Sequence, residues 1–380
     1  MDDSPRVAIV HYWLVGMRGG EKVLEALCRM FPQADIYTHV AIPGRLSTTL
    51  LNHRIIESRV AALPFARRYY KSYLPLMPLA LEEFDLSGYD LIISSEAGPA
   101  KGIIPPPGVP HLCYCHSPMR YIWDQYHTYH DDMGLLAKLI LPKVAHRLRQ
   151  WDVTSSARAD LIVANSKHVA ARVKSYWRRK ARVVHPPVAV DGFRPVAPSE
   201  RGGFYLWAGE LAPYKRPDLA IEAFQQLDRP LVVIGGPEKC WQKLVKTSGP
   251  KTVFLGRVHD TVLKSFMARC RALVFPGEED FGIVPVEVMA SGRPVIAYGK
   301  GGALDTVIDR ETGLLFHDQS VEGLMDAVIQ FERSGLEQYC HEACTSQAKQ
   351  FSEQRFRSEI LDCLADLDPT IVQAMRFESS

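Results

Sequence analysis

Repeatedly along this chain a short apolar run gives way to a turn and then to a stretch with apolar residues every third or fourth position. That alternation constrains the fold more tightly than any other property of the sequence. The run at 7–14 is apolar nearly throughout, as a strand buried on both faces must be, and a parallel sheet covered by helices provides such burial. Gly16-Met17-Arg18-Gly19-Gly20 breaks the run, after which Val23, Leu24, Leu27 and Phe31 keep to one helical face. Further strands are expected at 90–94, 111–115, 160–164 and 181–185, and Asn165-Ser166 caps a helix starting near Lys167. The segment 186–203 carries four prolines and three glycines without periodicity, and reads as an interdomain connection. Strands then resume at 204–208, 230–234, 252–255, 272–275 and 294–297. Between them lie helices at 217–227, 261–270, 286–291 and near 303–309, and the chain ends in helices that include 354–367. The class is α/β with two parallel-sheet domains. The expected boundaries are a first domain at 1–186, a connection at 187–203, a second domain at 204–350 and a C-terminal helix or tail at 351–380, whose helices are expected to pack back on the first domain. Ligands of such sheets bind beyond the strand C-termini, so a cleft between two of them is the expected site.

Composition removes the competing classes. The 380 residues are 47% hydrophobic and 23% charged, ordinary values for a globular protein and unlike a disordered one. No apolar run reaches the roughly 18 residues of a membrane span; the best, 134–145, is interrupted by Lys138 and Lys143. Asp2 and Asp3 stand where a secretory leader would be basic. Eight cysteines without a C-x2-C pair suit reduced thiols in a cytoplasmic protein; a zinc site using Cys113, Cys115 and His116 lacks the spaced partner pairs such sites need. The net charge of +2 hides an asymmetry. Residues 1–200 hold 25 basic against 18 acidic side chains, and the rest hold 20 against 25. A basic half joined to an acidic half suggests different partners for each.

Two segments of the second half carry chemistry. In Glu279-Asp280-Phe281-Gly282-Ile283-Val284-Pro285-Val286-Glu287 a glycine-containing loop runs into a helix, with carboxylates at both ends. The helix N-terminus suits a phosphate and the carboxylates suit sugar hydroxyls. Read alone, the pair is equally compatible with a solvated loop acid and a glutamate favoured by the helix dipole. In Gly209-Glu210-Leu211-Ala212-Pro213-Tyr214-Lys215-Arg216-Pro217 two cations precede a helix whose dipole disfavours them, which an intervening diphosphate would explain; an ordinary basic loop is the alternative. In the first half Gly19-Gly20 forms an incomplete phosphate-cradling turn. His116-Ser117-Pro118 follows a strand end, where a lone histidine is more often structural than functional. No G-x-S-x-G, H-E-x-x-H or P-loop motif supports a hydrolase or kinase.

Together these residues resemble the family 4 retaining glycosyltransferases of the GT-B fold, two Rossmann-like parallel-sheet domains facing a cleft. The resemblance rests on Gly19-Gly20-Glu21, the E-x7-E pair Glu279/Glu287, Phe281-Gly282, the lysine of 209–215, Gly235-Gly236-Pro237-Glu238 and Ala290-Ser291-Gly292-Arg293-Pro294-Val295-Ile296. A narrower similarity, to bacterial polysaccharide and O-antigen mannosyltransferases, rests on 17–22, on 116–124 and on Pro213-Tyr214-Lys215-Arg216. The resemblance implies catalytic roles for Glu279, Lys215 and His116: hydroxyl binding, neutralisation of the diphosphate and contact with the donor sugar. It implies donor contacts at Gly19, Gly20, Arg216, Phe281, Gly282 and Ile283, ribose binding by Glu287, and a base near Gly236, Arg257 and Val258. It implies no cofactor and no metal, with GDP-mannose as donor. One departure stands out: Gly209-Glu210-Leu211 replaces the family's G-R-L, so an arginine is missing unless Arg216 takes its place.

The implied acceptor is a glycan or a polyprenyl-diphosphate-linked saccharide. Aromatics interleave with cations at 65–74, a composition suited to an anionic membrane surface or simply to a solvated basic face. The expected place is the cytoplasm or the inner face of its membrane. No nucleic-acid reader motif is present. A sugar-nucleotide epimerase or a non-catalytic binding subunit are the competing readings.

Overall fold

The computed structural model of the chain describes residues 5–131, 133–236, 244–246 and 248–377. Within the Gly-Gly-Pro-Glu motif, Pro237 and Glu238 lie outside the described residues.

The chain divides into two compact units, Met1–His185 with Phe356–Ser380, and Pro186–Arg355. The first unit holds a seven-stranded sheet of β1 (Val7–His11), β2 (Asp35–Thr38), β3 (Ile55–Glu57), β4 (Leu91–Glu96), β5 (His111–Cys115), β6 (Leu161–Ala164) and β7 (Arg182–Val183). Their order is β3-β2-β1-β4-β5-β6-β7, and every pairing is parallel. The second unit holds six more parallel strands: β8 (Tyr205–Ala208), β9 (Leu231–Ile234), β10 (Thr252–Gly256), β11 (Leu273–Phe275), β12 (Val295–Tyr298) and β13 (Gly313–Phe316). Here the order is β10-β9-β8-β11-β12-β13.

β1 shows why the first sheet is buried on both faces. Val7 and Ile9 join one core with Leu24 and Leu27 of helix α1 (Gly19–Met30), whereas Ala8 and Val10 join a second core with Leu81 and Ile92. Alternate side chains of a strand point to opposite faces, so an unbroken apolar run can belong only between two helical layers. The strand ends at His11, earlier than the apolar run suggests, because Leu14 turns away to bridge Ala41 beyond β2.

One boundary differs from the composition-based expectation. Residues 187–203 are no free linker: Val188 and Val190 are buried in the second unit's core, and Val188 N donates to Phe351 O at 2.8 Å. Buried valines anchor a segment whose prolines and glycines suggested only flexibility. The final stretch is helical and packs back on the first unit, as expected. Helix Glu353–Leu367 and helix Pro369–Phe377 place Phe356, Ile360, Cys363, Leu364, Ile371 and Val372 in the first unit's core. Strands β2, β3 and β13 lie outside the set expected from the apolar runs. Among the described residues no helix is long and apolar enough to cross a membrane.

The first unit encloses imidazoles at or beside the ends of its inner strands β1, β2 and β5. His39 and His111 each hold one ring nitrogen against a carbonyl, of Pro99 at 3.1 Å and of Arg158 at 2.9 Å, and the other against a serine hydroxyl. A neutral ring satisfies both partners. Burial, which penalises the charged form, lowers each to about 4 from the usual 6.5, and burial together with His116 holds His11 well below that value. Unfolded imidazoles titrate near 6.5, so between pH 6.5 and 4 the unfolded chain binds protons that the folded chain does not. Stability of the first unit therefore falls as pH drops through that window, by roughly 3 kcal/mol for each of His39 and His111 at its lower end. Denaturant unfolding between pH 7 and 4 will show the midpoint falling in acid, and H39Q will flatten the slope.

Candidate active site

The second sheet changes direction between β8 and β11, the place where α/β sheets bind ligands. The loops leaving these two strands carry the chemistry singled out in the sequence. Lys215 comes from the loop after β8 and Glu279 from the loop after β11, and Nζ lies 2.7 Å from Oε1 with both side chains largely buried, 15% and 17% exposed. Their approach depends on Gly277. A Cβ there would lie 2.6 Å from Lys215 Cα and 2.6 Å from the Tyr214 carbonyl oxygen, so a larger residue would force the loops apart. Burial alone would lower the Lys215 pKa. The Glu279 carboxylate, with smaller contributions from Tyr214 and Glu210, outweighs it and holds the ammonium above its usual range. Gly302 N donates to the Glu279 carbonyl at 2.8 Å, which fixes the loop from its other side.

Three residues beyond Glu279 the chain enters a short helix, Ile283–Ala290, whose N-cap is Gly282 at φ 87°. Glycine supplies the left-handed turn but no capping side chain, so nothing from residue 282 itself covers the first-turn amides. Phe281 is buried and meets the Phe351 ring at 5.5 Å, which fixes the helix start. From Pro285 to Ala290 every residue of this helix is buried, and Glu287 is the one charged residue in it, 8% exposed. A charge is placed in an apolar helix against its solvation preference, so Glu287 is unlike a surface glutamate chosen for the dipole. Phe281, Gly282, Ile283, Glu279 and Glu287 thus share one loop and helix start.

The other expected donor contacts lie at the ends of β8, β9 and β10. At Gly235, φ 143°, a Cβ would collide with the Gly209 carbonyl, so the two strand ends touch through backbone alone. Leu211 N donates to Gly236 O at 3.3 Å. Arg257 lies against Gly236 and reaches Glu210 at 3.5 Å, while Val258 packs on the core. Glu210, which replaces the expected arginine, therefore has a cation beside it. Arg216 does not substitute for that arginine in this geometry. Its φ is 51°, and its guanidinium turns onto the Asp218 carboxylate with three contacts of 3.0–3.2 Å.

His116, Gly19 and Gly20 belong to the first unit. His116 Nε2 lies 2.8 Å from Ser95 Oγ, which also meets His11 Nδ1 at 3.0 Å. A hydroxyl has one proton, so it donates to one ring and accepts from the other. The Tyr114 ring stands edge-on at 5.2 Å. The backbone around His116 is pinned by buried charge. His116 N donates to Glu96 O, and Arg172, 7% exposed, reaches Ser117 Oγ, Pro118 O and Asp124 Oδ1 at 2.6, 3.2 and 2.6 Å. Beneath it Lys101, Glu96 and Asp152 form a fully buried ion triad, and the indoles of Trp123 and Trp177 donate to Asp152 at 2.8 and 2.7 Å. At the start of α1, Gly20 admits the Tyr12 hydroxyl, and Arg18 N donates to Glu21 Oε2 at 3.1 Å. That N-terminus already has a carboxylate, which weakens it as a diphosphate seat.

Sequence reasoning singled out most of these residues but missed how they are held. Lys215 and Glu279 are far apart in the chain, and nothing in either motif signals that they pair. Gly277, Arg172 and the Lys101 triad carried no motif; an arginine, a lysine and two acids at otherwise apolar spacing were the only traces. Among the described residues no group of three or more His, Cys, Asp or Glu is arranged to hold a metal ion. Cys113 and Cys115 are buried in β5.

Two family models match successive parts of the chain: "Glycosyltransferase Family 4" over residues 17–191 and "Glycosyl transferases group 1" over residues 193–351. The chain is 33% identical over 191 residues to a D-inositol 3-phosphate glycosyltransferase of Streptomyces avermitilis, covering 42% of this chain and 41% of that one. It is 28% identical over 262 residues to the alpha-1,3/1,6-mannosyltransferase alg-2 of Neurospora crassa, covering 55% and 54%. The matched part spans about half the length of these curated relatives. Among solved structures, Anabaena HepE in complex with UDP superposes with a TM-score of 0.70 at 17% identity, covering 95% of this chain and 100% of that one. At that identity the likeness shows a common fold.

The Lys215–Glu279 pair has a direct test. In E279Q burial acts on Lys215 with its main opposing charge removed, so its pKa falls and its amine becomes reactive at lower pH. Competitive amine labelling read by mass spectrometry will show this shift at Lys215, with exposed lysines unchanged.

Proposed function

The chain is a glycosyltransferase of the group 1, family 4 type, and we propose that it moves a hexose from a nucleotide diphosphate sugar, by preference GDP-mannose, to a glycan or polyprenyl-diphosphate-linked acceptor. The expected setting is polysaccharide or lipopolysaccharide assembly, and the anomeric configuration is retained. The observation that carries this reading is the ion pair of Lys215 with Glu279 beside the start of a buried helix. An ammonium and first-turn amides suit a diphosphate, and a carboxylate suits the hydroxyls of the attached sugar. On donor binding Lys215 turns to the diphosphate, and Glu279 exchanges the ammonium for sugar hydroxyls. Glu287 takes the ribose hydroxyls.

In this mechanism the C–O bond between the anomeric carbon and the diphosphate breaks as an oxocarbenium-like centre forms. The departing phosphate oxygen takes the acceptor proton on the same face. The protein's contribution is fixed positive charge aimed where negative charge grows, so Lys215 and the helix amides do the stabilising and no metal ion is required. Arg257, paired with Glu210, limits the repulsion that this carboxylate would otherwise impose on a diphosphate. Mannose is favoured by the similarity to alg-2. A uridine donor is the second reading, because HepE of the same fold was also solved with UDP-glucose. Peripheral membrane contact through the basic first unit fits the exposed Phe65, Tyr69, Leu76 and Leu79 beside Arg67, Arg68 and Lys71.

K215A and E279A should each lower transfer by about 10²-fold or more while the chain stays folded, in line with the loss of one preorganised charge. H116A should lower transfer and leave nucleotide binding in place. Transfer should survive EDTA. Product analysis with radiolabelled sugar nucleotide measures all three, and wild-type turnover by soluble K215A would refute the role of the pair.

A further inference from the structure

Two imidazoles and a hydroxyl form one hydrogen-bonded chain across the inner strands of the first sheet. His11 closes β1, Ser95 lies in β4 and His116 follows β5, and the strand order β1-β4-β5 makes them neighbours. The parallel register sets His11 opposite Ser95, and His116 N donates to the carbonyl of Glu96, the next residue of β4, at 2.8 Å. Ser95 Oγ therefore stands between two rings, 3.0 Å from His11 Nδ1 and 2.8 Å from His116 Nε2. Ser95 and His11 are buried, whereas His116 is half-buried.

The protons of this chain have one arrangement that leaves no buried donor without an acceptor. Burial, with the His116 ring beside it, keeps His11 neutral, so His11 carries a single ring proton. Its Nε2 is buried and has no hydrogen-bond partner among the described residues. A proton there would make a buried N–H without an acceptor, which folded chains avoid more strictly than an acceptor without a donor. The proton therefore sits on Nδ1 and is donated to Ser95 Oγ. That hydroxyl has no third partner among the described residues, so its own proton goes to His116 Nε2. A neutral His116 that accepts at Nε2 holds its proton at Nδ1, where it can only donate. Tyr12 and Tyr114 meet the His116 ring edge-on at 6.5 and 5.2 Å, which restrains its rotation.

We propose that Ser95 and His11 are positioning residues that hold His116 as an Nδ1–H hydrogen-bond donor toward the sugar being transferred. The direction of the chain follows from geometry and burial alone; the sugar rests on the glycosyltransferase reading of His116. A fixed N–H suits a hydroxyl oxygen of the sugar. The basic nitrogen of His116 is occupied by Ser95, so the ring does not take the acceptor's proton, and that task stays with the departing phosphate oxygen.

Long-range proton–nitrogen correlation spectra of the full chain, carrying nitrogen-15-labelled histidine, read the tautomers directly. His116 is identified by the signal lost in H116Q. Both His11 and His116 should be protonated at Nδ1, and a wild-type His116 protonated at Nε2 would overturn the proposal. S95A should move part of the His116 population to the Nε2–H tautomer, and S95T, which keeps the hydroxyl, should restore the wild-type signature. An unchanged tautomer in S95A would overturn the proposal too. The catalytic consequence is read from hydrolysis of GDP-mannose and UDP-glucose, with water in place of the acceptor. S95A should lower kcat by roughly tenfold or more and leave the donor KM within about twofold. S95T should recover most of that rate, and S95A should cause no further loss in an H116A chain. Additive losses would mean that Ser95 acts independently of His116 and would defeat the positioning role. H11N, whose amide can take the place of Nδ1, should keep more activity than H11F; where H11F fails to fold, S95A decides. The two claims fail separately. If H116A hydrolyses both donors at the wild-type rate, the sugar contact of His116 falls, while the tautomer spectra still decide whether Ser95 and His11 set its proton.

Discussion

The ion pair between Lys215 and Glu279 is the interaction on which the candidate site depends. It forms at the one point in the second sheet where the strand order reverses, between loops that Gly277 allows to touch. A pair this far from solvent gives little net stability, because two desolvated charges offset most of their attraction. Its value lies elsewhere. It keeps an ammonium and a carboxylate aligned and largely dry beside a helix start, so both are in place before any ligand arrives. The neighbouring contacts follow from it: Gly302 fixes the Glu279 carbonyl, and Arg257 offsets Glu210 nearby.

The first unit solves a comparable problem with deeper charge. Lys101, Glu96 and Asp152 are fully buried, and two indoles and two backbone amides complete their hydrogen bonds. Such a network is costly if one member is lost and rigid when complete. Because Glu96 and Trp123 also belong to the strand end and the loop around His116, that rigidity reaches the histidine. Arg172 adds three further anchors to the same loop.

Much of this architecture was legible in the sequence because its signals are local. Doubly buried strands read as apolar runs, and Glu279, Gly282 and Glu287 fall within nine residues of one another. What stayed hidden was long-range. The partnership of Lys215 with Glu279 and the turning of Arg216 onto Asp218 are set by topology, which short-range periodicity does not encode. Proline and glycine content at 187–203 suggested a linker, whereas two buried valines decide that segment's place.

The central claim is that the second unit's loops hold a sugar nucleotide, and binding tests it without knowledge of the acceptor. The measurement is the thermal stability of the purified chain with GDP, UDP, dTDP and ADP, each with and without its common sugars and with no added metal. A ligand at 100 times its dissociation constant adds about 2.7 kcal/mol to the folded state, a readily seen shift. The account predicts stabilisation by GDP and GDP-mannose that is lost in K215A. A shift with UDP alone would keep the site and replace the donor. No shift with any nucleotide would contradict the account and make this chain a fold without the donor site that its Lys215–Glu279 pair was taken to form.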